Sequence, residues 1–136
     1  MSALRWVEKA EKDIESARHL LGLGSHLADV ACFHAQQAVE KLLKAFLVSR
    51  GAEITKTHNI ARLIERCREI DPEFERLYDM EADRLTEYAV EARYPEFEEE
   101  PSAEEAEEAV KIAEKVREFV VKKIECGEAT SSRTSE

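Results

Sequence analysis

Chain breakers are the scarcest feature of this sequence, and they fix what it can become. Four glycines and three prolines interrupt 136 residues. The stretches between them suit helices and are too long for a β fold, in which turn residues recur about every ten positions. Nothing alternates with period two over a convincing length, and no internal repeat is present. Val7, Ala10, Ile14, Ala17 and Leu21 instead recur at spacings of three and four, one face of a first helix that should end at Gly22 and Gly24. The second segment, from about Leu27 to Arg50 and closed by Gly51, carries two adjacent apolar stripes. One runs through Ala28, Ala31, Ala35, Ala38, Leu42 and Ala45, the other through Cys32, Val39, Leu43 and Phe46. A helix apolar over so much of its circumference is expected at the centre of the molecule.

A short third helix is predicted from Thr57 as N-cap, burying Ile60, Leu63, Ile64 and Cys67. Asp71-Pro72 supplies an N-cap and a first-turn proline for a fourth, with Phe74, Leu77, Tyr78, Leu85, Tyr88 and Ala89 inward, stopping before Pro95. Ser102 with Glu105 reads as a capping box for a fifth, through Ala106, Ala109, Val110, Ala113, Val116, Val120 and Ile124 to about Gly127. The expected fold is all-α, an up-and-down four-helix-type bundle with an additional short helix. Residues 1–126 should form the helical domain and 127–136 a disordered polar tail. Glu8 with Lys12, Glu40 with Lys44 and Glu118 with Lys122 have the spacing of exposed ion pairs.

The formal charge of -10 disfavours nonspecific coating of DNA, yet it is uneven. Residues 1–95 carry 14 basic and 17 acidic residues, whereas 96–136 carry 6 and 13. From Gln36 to Arg68 the balance is +4, and eight of the thirteen residues from Glu96 to Glu108 are Glu. Cys32, Cys67 and Cys126 lack CxxC spacing, which fits reduced thiols, the first two in the core. No apolar leader follows Met1, and no window approaches ~18 uncharged apolar residues, so a cytoplasmic protein without a membrane span is expected.

Helical bundles often hold metals, but none of His19, His26, His34 or His58 follows a Glu by three positions, so no metal or cofactor is expected. His34, Gln37, Lys41 and Lys44 form a polar line on the otherwise apolar second helix, flanked by Gln36 and Glu40. It is either the solvated face of that helix or an anion groove. His58, in Lys56-Thr57-His58-Asn59, sits at a helix N-terminus. Its part is either capping and loop packing or help for an anion bound by unpaired N–H groups. Arg93-Tyr94-Pro95 would close the fourth helix with a guanidinium that either complements the helix dipole or is presented to phosphate.

Three segments in this order, Gln36-Gln37-Ala38-Val39-Glu40-Lys41-Leu42-Leu43-Lys44-Ala45, Lys56-Thr57-His58-Asn59-Ile60 and Glu91-Ala92-Arg93-Tyr94-Pro95, resemble the HEPN family (higher eukaryote and prokaryote nucleotide-binding domain). The similarity runs from Trp6, with its Glu11-Lys12-Asp13 run, to the last helix. It implies a dimerising helical bundle. Many such proteins are encoded beside a minimal nucleotidyltransferase in toxin–antitoxin-like modules, and others are metal-independent ribonucleases or bind nucleotides. The ribonucleases carry Arg, four to six residues, then His. Arg93 matches that arginine, but Tyr94-Pro95-Glu96-Phe97-Glu98-Glu99-Glu100 follows with no histidine. General acid–base help is worth about 10²–10⁴ in rate, so its loss argues against the standard activity.

The resemblance therefore implies a nucleotide-binding or interaction partner of a minimal nucleotidyltransferase, a homodimer and not an enzyme of the standard kind. Lys41, Lys44, His58, Arg93 and Tyr94 would contact phosphate and base, Tyr94 by stacking. The alternatives are a metal-independent ribonuclease toxin with a divergent site centred on Arg93 and including His58, and a noncatalytic dimeric scaffold. RNA is the less expected ligand, because the Glu-rich stretch follows Arg93 directly.

Overall fold

Alanine decides how the helices meet. In a computed structural model that describes residues 2–54, 56–89 and 100–134, with side chains to Gly127, α2 (Ala28–Ser49) contacts α1 (Ala3–Leu23), α3 (Ile60–Ile70) and α5 (Ala103–Thr134). Ala31, Ala35, Ala38 and Ala45 of α2 are fully buried, as are Leu42, Leu43, Phe46 and Leu47. The small face lets neighbouring backbones approach, and each buried large side chain contributes about 1.5–3 kcal/mol of transfer free energy. Val7, Ala10, Ile14 and Ala17 of α1 and Ala106, Ala109, Ala113, Val116 and Val120 of α5 join the same core. The described residues contain helices and no strand, the all-α bundle that the periodicity implies.

Glycine marks the ends of the first two helices. Gly24 has φ 145°, and a Cβ there would lie 2.8 Å from His26 Nδ1. Gly51 has φ 71° and donates to Val48 O at 3.0 Å, closing the last turn of α2. At the start of α5, Ser102 Oγ accepts from the Glu105 N–H at 3.1 Å, as its capping motif implies. That helix continues past Gly127, its expected end, to Thr134. A Cβ on Gly127 would collide with the Arg50 guanidinium, which lies over the Phe46 ring and donates to Lys123 O.

Two local expectations are corrected. The N-cap of α3 is Asn59, not Thr57: Asn59 Oδ1 accepts from the Arg62 N–H at 3.2 Å, while Thr57 Oγ1 accepts from the Asn59 N–H at 3.1 Å. The fourth helix is not continuous. It consists of a 3₁₀ turn at Pro72–Glu75, a single α turn, α4 (Arg76–Asp79), and a 3₁₀ segment at Ala82–Tyr88. A continuous helix through Phe74 and Leu77 would turn Glu81 inward. Instead Glu81 takes a left-handed conformation, φ 62°, and stays exposed. That step brings Ala82, Leu85 and Tyr88, three apart, onto the core. The proposed end of this helix at Arg93-Tyr94 lies outside the described residues.

Phe74 holds this broken segment in place. Its ring is fully buried, 4.3 Å from Phe46 of α2 and edge-on to Phe119 of α5 at 5.0 Å between centroids. Two ion pairs tie α1 to α5 over the opposite surface: Arg18 Nη2 to Glu114 Oε2 at 2.5 Å, and Arg117 Nε to Glu11 Oε2 at 2.7 Å. The proposed pair of Glu8 with Lys12 is replaced by Glu8 with Arg5 at 3.3 Å.

Candidate functional site

Two carboxylates are buried on the α1–α2 side, and each orients an imidazole. Asp13 falls among Ala10, Ile14 and Ala17 on the inner face of α1 and is 8% exposed. It accepts from Lys41 Nζ at 2.6 Å and from His34 Nδ1 at 2.9 Å. Glu40 is 4% exposed and accepts from Lys44 Nζ at 2.8 Å, from Gln36 Nε2 at 2.9 Å and from His58 Nδ1 at 3.0 Å. Burial alone would raise the Glu40 pKa. Hydrogen bonds from Lys44, Gln36 and His58, with the Lys44 charge, outweigh burial and hold it below its ordinary value.

A carboxylate can only accept, so each histidine presents Nδ1–H to its acid and leaves Nε2 for something else. His34 is partly buried, with 29% of its side chain exposed, whereas 72% of His58 stands in solvent. The His58 imidazole is nonetheless fixed at both ends of its residue, because Gln36 Nε2 also donates to the His58 carbonyl at 3.3 Å. Gln37 Nε2 donates to Gln36 Oε1 at 2.7 Å, extending the network along α2. Beside it, Lys44 Nζ lies 5.8 Å from the centroid of Trp6, whose shielded Nε1 has no partner among the described residues.

The structure thus brings Lys44 and His58 together on Glu40 and sets Lys41 one step away on Asp13. Arg93 and Tyr94 lie outside the described residues. The Glu40–Lys44 pair, read from sequence as exposed, is part-buried, with 5% of the Glu40 and 11% of the Lys44 side chain accessible. Near His58 the Asn59, Ile60 and Arg62 N–H groups are taken, by Thr57 Oγ1, by Thr86 Oγ1 at 3.0 Å and by Asn59 Oδ1. His58 does not cap α3. Its ring faces α2 instead. The basic residues between 36 and 68 are dispersed, Arg50 against α5 and Arg68 on Glu65, with Lys56, Arg62 and Arg66 along a cleft of about 450 Å³.

Asp13 is the member that sequence reasoning missed. Its signal is a carboxylate at a position the apolar spacing of α1 assigns to the core. Among the described residues no cluster of three or more His, Cys, Asp or Glu could hold a metal ion. No helix in that set is long and apolar enough to cross a membrane. Cys32 and Cys67 are buried thiols, and burial pushes Cys67 up to about 12. Cys126 is exposed.

Comparison with known proteins agrees with the all-α fold. Residues 3–124 match the HEPN domain family. The chain is 33% identical over 129 residues to a Methanocaldococcus jannaschii protein named "Putative toxin MJ1304", covering 85% of this chain and 83% of that one. Among solved structures it resembles TT1696 from Thermus thermophilus, with TM-score 0.75 and 35% identity over 89% of this chain and 97% of the other. It also resembles ST0689, described as an archaeal HEPN homologue, with TM-score 0.72 and 26% identity over 91% and 98%.

Proposed function

The chain belongs to the HEPN domain family, and on that premise we propose that it is the nucleotide-binding partner of a minimal nucleotidyltransferase in a toxin–antitoxin-like module. The observation that carries this reading is the exposed His58 imidazole held by the buried Glu40, with Lys44 on the same carboxylate. A solvated helix face would not bury an acid to fix a surface histidine. The arrangement suits a phosphorylated ligand: an ammonium keeps two N–H donors after meeting its carboxylate, and the exposed His58 ring, with Nδ1–H on Glu40, donates Nε2–H to a phosphate oxygen when it binds as the imidazolium. Lys41, Lys44, His58 and Arg93 contact phosphate in this reading, and Tyr94 stacks on the base. The relative named as a toxin supports the module. The protein works as a homodimer in the cytoplasm.

Titration calorimetry of the full chain tests the reading. ATP or GTP should bind saturably, and His58→Ala should weaken binding about tenfold, the loss of roughly one hydrogen bond to a charged group. Absence of saturable binding would leave a dimeric scaffold, for which light scattering and co-purification with the nucleotidyltransferase are the measurements.

One observation favours a second reading, a metal-independent ribonuclease toxin with a divergent site. The Glu40–His58 pair has the build of an oriented general base, and in this reading it takes the role of the missing motif histidine, with Arg93 as the phosphate contact. Growth inhibition on expression, abolished by Arg93→Ala and by His58→Ala, is its expected signature. An inert wild type expressed without the partner would count against it.

A further inference from the structure

The second oriented imidazole, His34 on Asp13, is left over from that function, and it opens onto a groove. We propose that this groove, between α1 and the first half of α2, takes the nucleoside end of the bound nucleotide, with His34 Nε2 accepting a hydrogen bond from a ribose hydroxyl. The inference rests on the nucleotide reading above and specifies where the ligand lies.

The groove has a volume of about 930 Å³, within the range of small-molecule sites. Lys12 and Ser16 of α1 line one side, one turn apart, and Val30 and His34 of α2 the other, with Leu20 and His19 at one end. Its chemistry is mixed in the way a nucleoside requires. Leu20 and Val30 offer an apolar wall to a base. Glu15 is the acidic residue of the lining, and Arg18 is held by Glu114.

His34 decides which part of the ligand comes here. Asp13 is buried and accepts from Nδ1, so the proton of the neutral ring sits on Nδ1 and Nε2 is an acceptor. A phosphate oxygen, also an acceptor, has nothing to offer that atom while the ring is neutral, and the more exposed His58 is the ring that meets the anion. A sugar hydroxyl donates to His34 Nε2. Position fits as well: Lys41 lies seven residues after His34 on nearly the same face of α2, about 10 Å along the axis. Lys44 and His58 lie beyond. A nucleoside on His34 therefore directs its phosphate chain toward the lysines and the second histidine, which favours a triphosphate over a monophosphate.

The experiment compares ATP with inorganic tripolyphosphate, which has the phosphates and no sugar. In wild type both should bind. His34→Ala should weaken ATP about tenfold and leave tripolyphosphate within about twofold, whereas His58→Ala should weaken both. His34→Gln, which restores an acceptor, should recover part of the ATP affinity. In wild-type protein the His34 Nε2 nitrogen resonance should move on addition of ATP and not of tripolyphosphate, a readout that needs no variant to fold. Unchanged ATP binding by His34→Ala, an equal loss for both ligands, or an unmoved resonance would overturn the assignment while leaving the nucleotide reading intact. Failure of wild type to bind either ligand would remove both.

Discussion

Replacing Phe74 with alanine is expected to cost about 3–5 kcal/mol of unfolding free energy, measured by chemical denaturation. The ring bridges Phe46 of α2 and Phe119 of α5 and is the largest fully buried side chain of residues 72–88, which lack a long helix of their own. Its loss removes apolar area and leaves a void between two helices that cannot close it, because their spacing is set by the alanine contacts of α2 elsewhere. Ile70→Ala, at a side chain 41% exposed, should cost well below half as much. Equal losses for the two variants would mean that the broken segment does not depend on this aromatic contact.

The second large effect concerns Glu40. Glu40→Ala should destabilise the fold by about 3 kcal/mol, because Lys44, with only 11% of its side chain exposed, and Gln36, fully buried, lose the acceptor that justified their burial. The pH dependence carries a sign that can be checked. A carboxyl whose folded pKa lies below its unfolded one contributes stability that is present above the unfolded value and lost as pH falls through the folded one. For Glu40 that loss begins near its ordinary value of 4.5 and continues below it. Asp71, lowered by Lys123 and the Glu73 N–H against the opposing effect of burial, adds to the same acid limb. Wild-type stability should therefore decline more steeply with acid than that of Glu40→Ala, in which the Glu40 share is gone. Identical slopes in paired denaturation series at pH 7 and below 4 would refute a stabilising Glu40 carboxylate.

These expectations also mark where sequence alone is informative. The apolar spacing in α1, α2, α3 and α5 translates directly into burial, since helical period and core contact are there the same fact: Ala10, Ala38, Leu63 and Ala113 are all fully enclosed. It fails at Glu81. The residues on either side of it carry good helical patterns that are out of register, and only the tertiary requirement to bury Ala82 and Leu85 decides in favour of a left-handed break. The polar line on α2 was legible as a line, but its meaning was not. Glu40 with Lys44 has the spacing of an ordinary surface pair, and what buries it is the loop before α3, whose path brings His58 onto α2 from eighteen residues away. Asp13 was hidden for the opposite reason, a charged residue in an apolar stripe whose partners, His34 and Lys41, belong to another helix.

The ties between α1 and α5 have a consequence in time. Arg18 to Glu114 and Glu11 to Arg117 join residues 96 and 106 positions apart. The α1–α2 hairpin, by contrast, is made of neighbours in the chain and can form as soon as both helices have left the ribosome. Loop closure over such a span is the slow part of assembly for a helical protein. Until α5 is made, the part of α2 that will receive it stays uncovered, an apolar surface open to chaperones or to another nascent copy. Synthesis of this protein thus passes through an interval in which its most adhesive surface is already built and the helix that covers it does not yet exist.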